Sequence, residues 1–339
     1  MTKTSPPQTA DRKNVHLDLA KTSLPVNNHP LDAIKLPYCA LPECDLNAVS
    51  LKTEFLGVEL AAPLMITGMT GGTERAMSIN RVLAQTAQKQ QIALGLGSQR
   101  ASLESGQSQS ELRHLAPDAV LIGNLGGAQL AGKDGLKLAH AAVEDIRADA
   151  LAIHLNPLQE AIQPEGNHDW RGVLAAIETA VGALNCPVLV KEVGAGLSGD
   201  VVRRLSAIGV RYVDVAAKGG TNWAEIELKR RQAADWPHYK PFLNYGLSLP
   251  DAITQGRAVS SSLCIIASGG VRNGLDAAKC LWLGADLVGM AGQILRAVED
   301  ENAKLHPERL ALTLDDLQQQ LRLSLFLAGK SSIKAFKRA

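Results

Sequence analysis

The chain has 339 residues, 46% of them apolar but only 4% aromatic, so it can bury a large core, and that core must be aliphatic. Thirty-five Lys and Arg against 34 Asp and Glu leave a net charge of +1, which argues against a nucleic-acid or membrane-surface partner held by a global field. The five cysteines, Cys39, Cys44, Cys186, Cys264 and Cys280, form no CxxC pair, and no apolar run is long enough to span a bilayer or serve as a secretion signal, so a soluble, cytoplasmic protein is expected.

Residues 1–10 are polar with two prolines and read as a disordered tail. Residues 11–60 carry Pro25, Pro30, Pro37 and Pro42 and read as an irregular extension packed on a larger unit. From residue 61 onward short apolar runs alternate with helical patterns. The runs fall at 64–67, 92–95, 119–123, 150–154, 188–191, 212–215, 264–267 and 287–290, with helical stretches such as 76–90, 170–184 and 275–283 between them. Alternating strands and helices demand parallel pairing, and eight such strands favour a closed (β/α)8 TIM barrel over an open sheet. The stretch after the first run, Gly68-Met69-Thr70-Gly71-Gly72, lacks the GxGxxG spacing of a dinucleotide fold. Between the sixth and seventh runs lies a long connection with Trp223, Trp236, Tyr239 and Tyr245, followed by a helix near 249–260.

In a barrel of this kind the active site sits at the C-terminal ends of the strands. Those positions hold Ser98, Arg100, Asn124, His154, Lys191 and a series of glycines. Ser268-Gly269-Gly270-Val271-Arg272 follows the seventh run and Gly289-Met290-Ala291-Gly292 the eighth, where barrels often bind a phosphate. A pair of tight turns would leave a similar trace. Lys191 at a barrel mouth calls for an anion, such as a reduced flavin, although a Lys191–Glu192 surface pair is the simpler alternative. His154, Asn156, Gln159 and Glu160 could bind a phosphorylated substrate, with Glu160 sufficing for Mg2+, or could merely cap a helix. Arg12-Lys13-x-x-His16 reads by itself as a solvated basic cluster.

Taken together, Arg12-Lys13-Asn14-Val15-His16, Met69-Thr70-Gly71-Gly72, Gly97-Ser98-Gln99-Arg100, His154-Leu155-Asn156-Pro157-Leu158-Gln159-Glu160, Lys191-Glu192-Val193-Gly194, Gly219-Gly220-Thr221-Asn222-Trp223 and Ser268-Gly269-Gly270-Val271-Arg272 resemble, in this order, the type 2 isopentenyl-diphosphate isomerases. The resemblance runs from about residue 12 to the last helix. It implies an FMN-binding barrel that interconverts isopentenyl and dimethylallyl diphosphate with reduced FMN and Mg2+, NADPH being the expected reductant. Met69, Thr70, Gly71, Ser98, Asn124, Lys191, Thr221, Gly269, Gly270, Ala291 and Gly292 would hold FMN. Arg12, Lys13, Ser98, Gln99, Arg100, His154, Asn156 and Gln159 would contact the substrate, with Gln159 and His154 as the catalytic candidates and Glu160 as the metal ligand. A homo-tetramer or homo-octamer is implied as well. Asp214-Val215-Ala216-Ala217 departs from the family's Asp-Val-Ser-Gly, and a hydroxyl near the flavin phosphate is thereby lost.

Two flavin- or nucleotide-type barrels compete. A 2-hydroxy-acid oxidase needs a His base and an Arg after the sixth strand, where Lys218 and Thr221 stand. An IMP-dehydrogenase-like barrel needs a nucleophilic Cys there, and none is present. A flavin-binding barrel without catalysis is a third reading, disfavoured by Gln159 and Glu160.

Overall fold

The computed structural model describes residues 9–22, 29–69 and 71–337, with side chains from residue 12 onward. The expected tail therefore lies outside the described residues, save the backbone of Thr9 and Ala10, which opens the helix Thr9–Thr22.

Strands β1 (Thr53–Phe55) and β2 (Val58–Leu60) form an antiparallel hairpin. Leu56 and Gly57 both take positive φ (52° and 77°), the backbone that a two-residue turn needs to match strand twist. Eight parallel strands follow: β3 (Leu64–Ile66), β4 (Ala93–Gly95), β5 (Leu121–Gly126), β6 (Ala150–His154), β7 (Val188–Lys191), β8 (Tyr212–Asp214), β9 (Cys264–Ser268) and β10 (Leu287–Met290). Each pairs with the next, and β10 pairs with β3, closing the barrel.

Strand residues alternate between two environments. Met65, Ala93, Ile122, Ala150, Ala152, Leu189, Ile266 and Leu287 form an inner cluster, and Phe55 and Leu60 of the hairpin join it. Phe55 also meets Tyr212, at the start of β8, edge-on with ring centroids 5.9 Å apart. The hairpin thus plugs the N-terminal end of the barrel and leaves the C-terminal end open. The other strand face packs on the surrounding helices through a continuous aliphatic cluster that includes Leu64, Leu94, Leu121, Leu151, Val190, Val213, Ile265 and Val288. Each fully buried aliphatic side chain contributes roughly 1.5–3 kcal/mol relative to exposure.

Two features differ from the expectation. The third run starts later and runs further, through Asn124 to Gly126, because β5 keeps its register with β6 as far as the Gly126–His154 pair. Residues 11–60 are not merely irregular: the helix Thr9–Thr22 occupies their beginning. It carries no apolar stripe, and only Leu17 and Ala20 of its described side chains are buried. Ion pairs hold it instead. Lys21 Nζ reaches Glu299 Oε2 at 2.7 Å, and Arg75 bridges Glu299 and Asp18.

Candidate active site

The open end of the barrel holds a cavity of about 590 Å3, of a size ordinary for a cofactor or substrate site. Its floor is made by strand-end loops that pack too closely for side chains. A Cβ on Gly68 would lie 2.1 Å from the Leu96 carbonyl oxygen, and one on Gly269 would lie 1.9 Å from the Ala217 oxygen. Gly269 and Gly270 also take φ of 110° and 86°, open to glycine at little cost. The loops after β8, β9 and β10 converge: a Cβ on Gly292 would sit 3.5 Å from Thr221 Oγ1. Met69, Gly71, Ser98, Asn124, Lys191, Thr221, Gly269, Gly270, Ala291 and Gly292 all line this one cavity. Thr70 lies outside the described residues.

Polar side chains stand in the wall at the ends of β5 to β7. Asn124 Nδ2 donates to the Leu96 oxygen at 2.8 Å, which turns its Oδ1 toward His154 Nδ1, also at 2.8 Å. That ring nitrogen must therefore carry the proton, leaving Nε2 as an acceptor. Burial, then Lys191, Arg100 and Lys13, lower the His154 pKa from 6.5 to about 3, so the imidazole is neutral near pH 7. Across the sheet His154 is level with Lys191, and Lys191 with Asp214. Lys191 Nζ donates to the Glu192 carbonyl at 2.6 Å. Glu192 is buried, so the pair is not a surface one; its Oε2 accepts from the amides of Val193 at 2.6 Å, Gly194 at 2.5 Å and Gly196 at 3.1 Å. Its side chain thereby fixes the loop that carries the carbonyl against Lys191.

The helix Thr9–Thr22 lies over the cavity mouth and brings Arg12, Lys13 and His16 into its wall. Lys13 Nζ lies 3.3 Å from the Ser98 oxygen. Burial and the neighbouring Arg12 and Arg100 lower its pKa from 10.5 to about 8. Arg12 and Arg230 both pair with Glu165, at 2.9 and 2.8 Å. Fully buried Glu227 receives Gln159 Nε2 at 2.9 Å on Oε1 and lies 3.0 Å from His16 Nε2, while its Oε2 pairs with Arg230. Burial alone would raise the Glu227 pKa, but His16, Gln159 and Arg230 hold it below the ordinary carboxylate value. Gln159 Oε1 accepts from Asn156 Nδ2 at 3.1 Å, so both ends of its amide are assigned. Glu160, one residue on in the helix Pro157–Ile162, accepts from Asn156 Nδ2 and from the Asn167 amide and lines the cavity. Trp223 meets the His16 ring edge-on, with centroids 5.5 Å apart.

Among the expected substrate contacts, Arg12, Lys13, Ser98, Arg100, His154, Asn156 and Gln159 line the cavity, whereas Gln99 does not. Gln99 is fully buried: Nε2 donates to the Ala142 carbonyl and Oε1 accepts the Asn124 amide. It is a strut between β5 and the helix Gly135–Ile146. The motif did not reveal Glu165, Glu227 or Arg230. The available signal was a glutamate between Ile226 and Leu228, three residues before an arginine, in the helix Trp223–Arg230.

Comparison with known proteins places this geometry. The sequence pattern of the FMN-dependent dehydrogenases matches residues 156–339. An isopentenyl-diphosphate delta-isomerase of Xanthobacter autotrophicus is 46% identical over 96% of this chain and 96% of its own length. The chain belongs to the isopentenyl-diphosphate delta-isomerases. An isopentenyl-diphosphate delta-isomerase of Vibrio parahaemolyticus is 43% identical over 98% of each chain, and one of Halobacterium salinarum is 43% identical over 98% of this chain and 93% of its own. Among solved structures, mandelate oxidase carrying a monooxide FMN adduct superposes with a TM-score of 0.65 at 16% identity, over 96% of this chain and 90% of that one. At that identity the likeness concerns the barrel. Membership in the isomerases agrees with Lys218 and Thr221 standing where a hydroxy-acid oxidase needs its base and its carboxylate grip.

Proposed function

We propose that this isomerase interconverts isopentenyl and dimethylallyl diphosphate with FMN in its reduced form and Mg2+ bound at the cavity. The observation that carries the reading is one cavity lined at once by a cationic group, Arg12, Lys13 and Arg100, by the Gln159 amide anchored on Glu227, and by a glycine floor with a buried lysine. The residues present suit FMN. Gly68 and Gly269 leave room where a Cβ would collide with backbone, and Lys191 is a buried cation at the cavity wall. Met69, Gly71, Ser98, Asn124, Lys191, Thr221, Gly269, Gly270, Ala291 and Gly292 would hold it. Glu160 suits Mg2+, which commonly takes one or two carboxylates and completes its shell with phosphate oxygens and water.

The reaction moves a double bond by adding a proton at one carbon and removing one from another, with no net redox change. When bound and reduced, FMN supplies an electron-rich face and a group able to give and take that proton. The chain's own residues do the rest. Arg12, Lys13 and Arg100 bind the diphosphate, and neutral His154 stands beside them in the wall, its Nδ1 tied to Asn124. Trp223 and Met69 cover the hydrocarbon and exclude water, and the indole face stabilises positive charge on the tail. Gln159 is held at both ends of its amide, by Asn156 and Glu227, and orients the alkene end. His16 and Glu227 lie behind it, 3.0 Å apart. The same reading carries NADPH as the reductant, a homo-tetramer or homo-octamer, and a cytoplasmic setting. No helix among the described residues is long and apolar enough to cross a membrane.

The test is Gln159→Ala, assayed for conversion of isopentenyl diphosphate and for FMN content. Loss of turnover with FMN retained is expected; turnover near the wild-type rate would remove Gln159 from the chemistry.

A further inference from the structure

Arg296 lines the cavity but belongs to none of the motifs that marked the other wall residues. It lies in the helix Gly292–Val298, which begins just after β10. Helical positions four apart share a face, and side chains lean back toward the helix N-terminus, so Arg296 reaches over Gly292. Its Nη1 comes within 3.4 Å of the place a Cβ on Gly292 would take, and Thr221 Oγ1, from the loop after β8, lies 3.5 Å from the same place. A guanidinium N–H and a hydroxyl thus converge beside a glycine that itself lines the cavity. The backbone behind them is fixed, since Arg309 donates to the carbonyls of Ala297 and Arg296, each at 2.7 Å.

The surroundings say what this cation meets. Arg296 is half-buried, and burial lowers its pKa, although a guanidinium stays charged near pH 7. A charge held partly out of water attracts an anion more strongly than one in bulk solvent. Other cations of the cavity work elsewhere. Lys13 Nζ sits against the loops after β3 and β4, 2.6 Å from a Cβ on Gly72 and 3.3 Å from the Ser98 oxygen. Arg100 opens the helix Arg100–Ser105, after β4. Arg272, in the loop after β9, is already neutralised by Asp276 at 2.7 Å and by Asp32. Ala216 and Ala217, after β8, bring no side-chain donor. Arg296 therefore supplies positive charge to the side of the cavity formed by the glycine loops after β9 and β10.

We propose that Arg296 is a ligand of the phosphate monoester of the bound flavin nucleotide, acting with the Thr221 hydroxyl beside Gly292. This rests on the FMN reading above. The planar guanidinium can donate to two phosphate oxygens at once, which a hydroxyl or a backbone amide cannot. The cationic group Arg12, Lys13 and Arg100 is left to the substrate's diphosphate, so the one cavity carries two anion subsites on different loops.

The experiment titrates the flavin-free full chain with FMN, riboflavin and inorganic pyrophosphate, following flavin fluorescence and thermal stability, for wild type, Arg296→Ala and Arg296→Lys. A lost hydrogen bond to a charged group weakens FMN roughly tenfold to a hundredfold. Arg296→Ala is expected to show that loss for FMN alone, leaving riboflavin and pyrophosphate affinities unchanged. Arg296→Lys, which keeps the charge but not the planar fork, recovers part of it. Arg296→Met, which keeps the length of the side chain without its charge, reads the same loss if Arg296→Ala does not fold. Equal losses for FMN and riboflavin, or no loss for either, would overturn the proposal by making Arg296 a packing residue. A loss confined to pyrophosphate would overturn it in favour of the substrate's phosphates. A wild type that binds pyrophosphate but neither flavin would sink the FMN reading itself.

Discussion

Replacing Glu227 by alanine removes the acceptor shared by Gln159 and Arg230 and the carboxylate beside His16. Glu227 is wholly buried, and removing one partner of a buried ion pair costs about 3–5 kcal/mol. Arg230 keeps Glu165 at 2.8 Å, so the lower end of that range applies. At roughly 2–4 °C per kcal/mol for a large domain, about 3 kcal/mol lowers Tm by about 6–12 °C. Catalysis should fall further than stability explains, because the Gln159 amide loses one of its two anchors, and a misplacement of about 1 Å costs on the order of a hundredfold in rate. Glu227→Gln keeps a carbonyl oxygen for Gln159 but not the charge; it should recover much of the kcat but little of the Tm, since a neutral amide holds Arg230 less strongly. Differential scanning fluorimetry and steady-state isomerisation of isopentenyl diphosphate report the two quantities separately. A Glu227→Ala enzyme with wild-type Tm and wild-type kcat would refute the idea that this network orients Gln159.

Three further predictions address charge. Lys191→Ala should weaken FMN binding and lower the flavin reduction potential, because the buried cation favours the anionic reduced flavin; unchanged affinity and potential would remove Lys191 from the flavin site. In the free protein the Lys13 ammonium is half lost at pH about 8, so KM for the diphosphate should rise above that pH, while Lys13→Arg, which stays charged, should give a flat profile there. His154 has a folded pKa of about 3 against an ordinary 6.5, so between these values the unfolded chain binds the extra proton and ligand-free stability falls as the pH drops. His154→Asn should therefore lose less stability than wild type between pH 6.5 and pH 4 in denaturant titrations, and parallel curves would contradict a buried neutral imidazole.

The barrel was legible because each strand is a short apolar run bounded by polar residues, and the runs at 150–154, 188–191 and 287–290 coincide with β6, β7 and β10. Glycine-rich strand ends marked the cavity floor for the same local reason. Gln99 was named by the resemblance alone: it sits in a motif of cavity residues, yet the turn after β4 sends its side chain back into the wall toward Ala142. Glu227 was illegible because its partners, His16 and Gln159, are distant in sequence and meet only in the closed barrel. The helix Thr9–Thr22 was missed because ion pairs to Glu299 and Glu165, rather than an apolar stripe, hold it in place.

The central claim is that this cavity performs a flavin-dependent isomerisation of a diphosphate, and the most direct measurement is turnover of isopentenyl diphosphate with Mg2+ and FMN, with and without NADPH or dithionite. Conversion to dimethylallyl diphosphate only when the flavin is reduced is the predicted result. Equal turnover with oxidised flavin, or none with tightly bound reduced FMN, would contradict it.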